Sequence, residues 1–272
     1  MLDTHCHLTY EGLYERVAQV VREAADAGVD RLITVGTTPE DAGRAVDLAD
    51  RFEGVYATAG LHPHYADRWP DRTAVVEGLR SRLMHPRVVA IGEMGLDKHY
   101  PDPPLEVQET AFRWQLELAA EVSDPLPIII HNRKATDEVL GLIRASGLPG
   151  ERFVFHCFTG DDRELDAILG LGAMVGFTGI VTFRNARALA ESAIRTPLDR
   201  LMVETDSPYL APEPHRKVRP NQPRFVVEVA RFLAEARGVE LDEFTRQVDA
   251  NAVRFFGLKR PDDRTATGIE ST

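Results

Sequence analysis

The sequence predicts an α/β fold, a single-domain TIM-type (β/α)8 barrel, and three observations predict it. Short apolar runs rich in β-branched residues alternate strictly with longer amphipathic stretches, eight times over. Several of the short runs are apolar throughout (RLITV at 31–35, VVAIG at 88–92, LPIII at 126–130), as strands covered on both faces should be. The length, 272 residues, suits one such barrel, which commonly fills about 250 residues.

In chain order, strands are expected at 2–5, 31–35, 55–59, 88–92, 126–130, 152–155, 173–177 and 200–204. Helices are expected between them at 12–27, 39–51, 72–84, 104–121, 135–145, 162–170 and 185–195. Pro39 at one helix start and Gly28 just past another helix end are ordinary helix punctuation. A Pro-rich loop at 207–223 leads to two further helices, 224–236 and 241–256. The barrel then occupies 1–260, and 261–272 is a polar tail expected to fray. A doubly wound open sheet uses the same alternation and is the competing arrangement.

The formal net charge is -11, whereas a protein that coats duplex DNA through a broad basic surface is normally basic. Any nucleic-acid contact must therefore be local and confined to a cleft. Cys6 and Cys157 form no CxxC pair and no disulfide framework, which suits a reducing cytoplasm. The start, MLDTHCHL, lacks the pattern of a signal peptide, and no run approaches 18 apolar residues, so no membrane span is expected.

The chemistry lies in where the polar residues fall. His5 and His7 end the first expected strand, His62 and His64 follow the third, and Glu93 ends the fourth. His131 ends the fifth, His156 the sixth, and Glu204 and Asp206 the eighth. In a closed βα barrel these ends form one face, where active sites sit. The i, i+2 spacing of His5 and His7 points both imidazoles to one side of an extended segment. A carboxylate such as Glu93 directly after an apolar strand is costly without a cation or several donors. Imidazoles with carboxylates suit zinc, manganese, iron or nickel better than calcium, and carboxylates with water also admit magnesium. Cys6 and Cys157 alternate with histidines and are expected to face away as small apolar fillers.

These segments resemble the TatD family of metal-dependent hydrolases, within the amidohydrolase-like barrel superfamily. The likeness rests on DTHCHL (3–8), GLHPH (60–64), IGEMGLD (91–97), VQETAFRWQLELA (107–119), PIIIHNRKA (127–135), FHCFTG (155–160), VETDSPYLAP (203–212) and NAVRFF (251–256). It implies two divalent ions (zinc, manganese or magnesium). One would be held by His5, His7 and Asp206, the other by His131 and His156, with Glu93 bridging. It implies Asp206 as the group that takes the proton of an attacking water, with Glu204 as a second candidate, and His62 and His64 as residues lining the substrate cleft. It further implies a deoxyribonuclease, often exonuclease-like. An amidohydrolase-like enzyme acting on an amide, lactone or aminoacyl ester is the alternative; Glu93 stands where relatives with a carboxylated lysine would carry that lysine.

Basic residues follow several strand ends. Residues 214–224 carry four Lys/Arg and no Asp or Glu in an otherwise acidic chain. Arg133, Arg216 and Arg219 are thus expected to contact the phosphates of single-stranded DNA or of a small phosphodiester. Tyr65, Trp69, Tyr100 and Tyr209 offer stacking surfaces. The sequence departs from the family pattern at Lys98-His99-Tyr100 and in the spacing of the 213–223 loop. A monomer is expected.

Overall fold

Among the described residues, 1–258 of the computed structural model, eight parallel strands run in chain order around one sheet. They are β1 (Leu2–Cys6), β2 (Arg31–Thr34), β3 (Val55–Ala59), β4 (Val88–Asp97), β5 (Ile128–Arg133), β6 (Phe153–Phe155), β7 (Met174–Phe177) and β8 (Leu201–Val203). Beyond β8 the chain returns to β1. Cys6 bridges Ser207, the Asp206 N–H donates to His5 O at 2.9 Å, and the His7 N–H donates to Ser207 O at 2.7 Å. That closure excludes the open doubly wound sheet. The expected tail, 261–272, lies outside the described residues.

Helices α1 (Val17–Asp26), α2 (Pro39–Arg51), α3 (Arg72–Leu83), α4 (Leu105–Glu121), α5 (Thr136–Ser146), α6 (Asp162–Gly170) and α7 (Arg187–Arg195) follow strands β1 to β7 in turn. Helices α8 (Val226–Arg237) and α9 (Leu241–Phe256) come after β8. Local chemistry sets their starts. Thr38 accepts the Asp41 N–H ahead of Pro39 in α2, and Asp161 and Glu164 form a reciprocal capping box at α6. α1 begins later than the sequence suggests, because a 3-10 turn, Tyr14–Arg16, occupies its first part.

The helices pack their apolar faces on the outside of the barrel and build the main core. A second, smaller core fills the N-terminal end of the barrel interior. Every strand contributes to it, with Leu2, Ile33, Tyr56 and Met202 among the members, and Phe256 of α9 packs into the same cluster. Register is irregular between Ala57 and Thr58 in the β3–β4 pairing, and also in β1 between Asp3 and Cys6 and in β4 between Ile91 and Met94. Such irregularities re-aim side chains, and the last two flank His5 and Glu93. Among the described residues, no helix is long and apolar enough to cross a membrane.

Candidate metal centre

Moving two residues along a strand keeps a side chain on the same face. From Ile129 the step leads to His131, from Val154 to His156, and from Met202 to Glu204. The first of each pair belongs to the small apolar core, and the second is ionisable. The barrel interior thus changes from apolar to charged along its axis. His5 and Glu93 join the charged layer through the register shifts in β1 and β4.

Glu93 is the hub of that layer, and its two oxygens face different histidines. Oε2 lies 3.3 Å from His5 Nε2 and 3.9 Å from His7 Nε2. Oε1 lies 2.8 Å from His131 Nδ1, 2.7 Å from His156 Nε2 and 3.5 Å from His62 Nε2. Asp206 completes the first side, its Oδ1 3.3 Å from His7 Nε2 and 3.8 Å from His5 Nε2. Its backbone is left-handed, with φ of 52°, where the chain turns after β8 to meet β1. The His5 and His156 rings stack at 3.8 Å between centroids and hold the two sides together.

Burial alone would raise the Glu93 pKa. The charges of His156, His62 and His5 and the His131 hydrogen bond outweigh it and hold the carboxyl well below its usual range. Burial likewise opposes ionisation of Asp206, but the His7 hydrogen bond and the charges of His156 and His5 keep it low. Burial pushes His5 down, with the charge of His156 acting in the same direction. Burial is also the main reason that His62 falls to about 4.

These residues fit divalent cations. His5 Nε2, turned to Glu93 and Asp206, is buried without a hydrogen-bond partner, a costly state for a polar atom. Two of the possible ligand groups are His5, His7 and Asp206 on one side, and His5, Glu93 and His156 across the middle. Imidazole with carboxylate oxygen is the donor chemistry of zinc and manganese sites.

The centre forms the floor of a cleft of about 1180 Å³. Tyr10, Tyr65, Tyr100 and Tyr209 line its walls, with Arg133 and Lys134 on one side and Phe158, Ile180 and Leu210 on another. Tyr100 and Tyr209 stand at the rim, 49% and 53% exposed. Trp69 packs on the core instead.

The structure brings His5, His7, Glu93, His131, His156 and Asp206 together, with His62 and His64 beside them and Arg133 on the cleft wall. Three expected residues lie elsewhere. Glu204 is buried behind His156, where it accepts the Cys157 N–H at 2.6 Å and the Thr4 hydroxyl at 3.2 Å, and it does not reach the cleft. The Arg216 guanidinium lies 3.4 Å from the centroid of the Phe183 ring and donates to Ala211 O, so its charge is used to fold the loop. Arg219 donates to the carbonyls of Arg216 and Val218. Cys6 faces away from the centre and donates to Ile33 O. Cys157 does not. Its φ of 46° breaks the strand alternation just past β6, and it lines the cleft.

Sequence reasoning missed Asp97. Its carboxylate Oδ2 lies 3.0 Å from His131 Nε2 and 2.9 Å from His64 Nε2. Those hydrogen bonds overcome burial and hold its pKa far below the usual range. The signal was available in IGEMGLD, where Asp97 has the same parity as Glu93 along one strand. The glutamines of α4 act nearby. Gln108 accepts the Asp97 N–H at 2.8 Å and donates to Asp97 O at 3.0 Å, while Gln115 clamps Leu61 in the same two-sided way at 2.7 and 3.0 Å. Two side-chain amides, seven positions apart on one helix, thus fix the backbone beside His62 and His64 and at the end of β4.

Residues 2–257 match the family model described as TatD related DNase. The uncharacterized metal-dependent hydrolase YabD of Bacillus subtilis (strain 168) is 37% identical over 259 residues, 95% of this chain and 99% of that protein. The 3'-5' ssDNA/RNA exonuclease TatD of Erwinia billingiae is 40% identical over 265 residues, 95% of this chain and 99% of that protein. The crystal structure of YJJV, a TatD homologue from Escherichia coli k12, superposes with a TM-score of 0.88 at 30% identity, covering 95% of this chain and 98% of that one.

Proposed function

The chain belongs to the TatD family and is a metal-dependent hydrolase, and from that premise we propose that it cleaves phosphodiester bonds of single-stranded nucleic acid, DNA in the first instance. The observation that carries this reading is the two-sided use of Glu93, with Oε2 toward His5 and His7 and Oε1 toward His131 and His156. We assign one divalent ion to His5, His7 and Asp206, a second to His131 and His156, and Glu93 to both; zinc, manganese and magnesium suit the donors. When bound, such ions lower the pKa of a water molecule toward neutrality and neutralise charge on phosphate oxygens.

The chain's own groups do the rest. Asp206 lines the cleft as a carboxylate, and that carboxylate accepts the proton of the attacking water. His62 Nδ1 accepts the His64 N–H at 3.1 Å, so in the neutral ring the proton sits on Nε2. That N–H faces the cluster and donates to a substrate oxygen. Arg133 and Lys134 attract the phosphates, while Tyr100 and Tyr209 offer faces on which unstacked bases lie. The cleft is local on an acidic chain, which favours a single-stranded end over a duplex surface. Relatives named 3'-5' ssDNA/RNA exonuclease support the same substrate class. Both cysteines are free thiols, which supports a reducing cytoplasm as the location.

The test is hydrolysis of short single-stranded DNA and RNA by the metal-stripped chain, before and after addition of zinc, manganese or magnesium. Metal-dependent release of nucleotides is expected, and it is lost in His131→Ala. Clean cleavage of a lactone or amide with no phosphodiester cleavage under any metal would overturn the proposal in favour of an amidohydrolase-like activity.

A further inference from the structure

We propose that Asp97 is a positioning residue that decides which nitrogen of His131 is given to the metal centre. The inference rests on the reading of His131 as a cation ligand. The two ring nitrogens of His131 have separate surroundings. Nδ1 faces the centre, 2.8 Å from Glu93 Oε1 and 3.2 Å from His62 Nε2. Nε2 faces away, 3.0 Å from Asp97 Oδ2. Both ring nitrogens face a carboxylate, and a carboxylate oxygen accepts. The Nδ1 proton is the one a cation in the centre would replace, because Nδ1 opens on that centre, while Asp97 keeps the other proton on Nε2.

The Asp97 carboxylate is itself held from several directions. Oδ1 accepts the His99 N–H at 2.8 Å, Oδ2 also faces His64 Nε2 at 2.9 Å, and Gln108 clamps the backbone of the same residue on both sides. Both Asp97 oxygens have hydrogen-bond partners, unlike His5 Nε2, which faces Glu93 and Asp206 without one. That contrast favours a supporting carboxylate over a further cation site built from His64, Asp97 and His131. His156 has the mirror arrangement. Its Nε2 points to Glu93 at 2.7 Å and its Nδ1 toward Glu204 Oε1 at 3.5 Å. The two histidines on the Oε1 side of Glu93 therefore use opposite ring nitrogens, each with a carboxylate behind it.

The experiment uses the full-length chain, stripped of metal and titrated with zinc against a competing chelator. Wild-type protein takes up two equivalents. Asp97→Ala weakens one of them by about 10- to 100-fold and leaves the other in place, and Asp97→Asn, which keeps one accepting oxygen, shows a smaller loss. Nitrogen-15 NMR of zinc-loaded wild-type protein reports His131 protonated at Nε2, a readout that needs no variant to fold. Zinc affinities unchanged in Asp97→Ala overturn the proposal, and so does a His131 with an unprotonated Nε2, which would make Asp97 part of a cation site. A wild-type chain that takes up no zinc is a different failure and removes the metal-centre reading itself.

Discussion

The two ends of the barrel interior are built from the same eight strands and share almost no chemistry. At the N-terminal end, Leu2, Ile33, Ile129, Val154 and Met202 pack into an apolar cluster with Phe256. One step of the strand alternation further on, the interior holds His131, His156, Glu204 and Glu93, all on strands or just past them. The apolar layer can only contribute stability. The charged layer carries His5 Nε2, a buried ring nitrogen turned to Glu93 and Asp206 with no hydrogen-bond partner. The comparison teaches that function is added to this fold as a layer, and that neighbouring positions on one strand can belong to different layers.

The sharpest way to break this division is to change one residue in each layer. Glu93→Gln is expected to abolish stable cation binding and lower turnover on single-stranded DNA by roughly 100- to 1000-fold, the scale of loss when one preorganised electrostatic element is removed. The circular dichroism spectrum stays that of the parent. Ile129→Ala, at a position only 1% exposed, is expected to cost about 2–5 kcal/mol in urea unfolding, while the folded fraction keeps its turnover. Measured together, the pair is decisive: a large activity loss in Ile129→Ala without a stability loss would mean that the layers are not separate.

The charged layer also predicts how the metal-free chain responds to pH. His7, His131 and His156 have raised pKa values because the carboxylates around them outweigh burial. Their stabilisation is fully present below the unfolded value of 6.5 and is lost as pH rises through the folded values. Asp3, buried against Thr205, is pushed by burial to about 8. It is protonated in the fold, so stability falls as pH rises from its unfolded value of 3.8 to about 8. Glu93, Asp97 and Asp206 act oppositely, since their depressed values give stability that is lost on acidification. His5 and His62, which burial lowers, contribute in the opposite sense only below 6.5, so the melting temperature of metal-free protein is expected to fall as pH rises from 6.5 toward about 8, where folded Asp3 titrates. Bound cations replace the ring protons that face the centre, so metal-loaded protein should lose the histidine share of that decline and keep the Asp3 share. Asp3→Asn should flatten part of it. A metal-free melting temperature that rises over the same interval would contradict the assignment.

The barrel was legible because its signals are local and repeated. Runs such as PIIIH and FVFH carry both the buried strand and the residue that ends it, and closure then brings the strand ends together. The convergence of His5, His7, Glu93, His131, His156 and Asp206 was legible for the same reason. What escaped depended on backbone detail. β4 runs on to Asp97, so Asp97 became a partner of His131 and not a loop residue. The left-handed backbone at Cys157 and Asp206 cancels the simple alternation that had turned Cys157 outward and had placed Glu204 beside Asp206. Arg216 and Arg219 of the 213–223 loop lie off the cleft for another reason. Charge can be read from sequence, but whether a guanidinium faces a cleft or its own loop depends on tertiary packing.

That last distinction gives the smallest expected effect and a direct comparison of two arginines. Arg133 lines the cleft, with its guanidinium 5.4 Å from the centroid of the Tyr100 ring, and it remains available to a phosphate. Arg216 is committed to Phe183 and Ala211. Arg133→Ala should weaken binding of single-stranded DNA several-fold and lower the slope of log affinity against log salt by about 0.7, the value for one phosphate contact on a single strand. Arg216→Ala should leave that slope unchanged and instead lower the melting temperature slightly, because the lost contact is a cation–π interaction of about 0.5–2 kcal/mol. Binding measured at several salt concentrations separates the two. If Arg216→Ala lowered the slope as much as Arg133→Ala, the 213–223 loop would belong to the substrate path after all, and the spacing that departs from the family pattern would be a different route to the same contact.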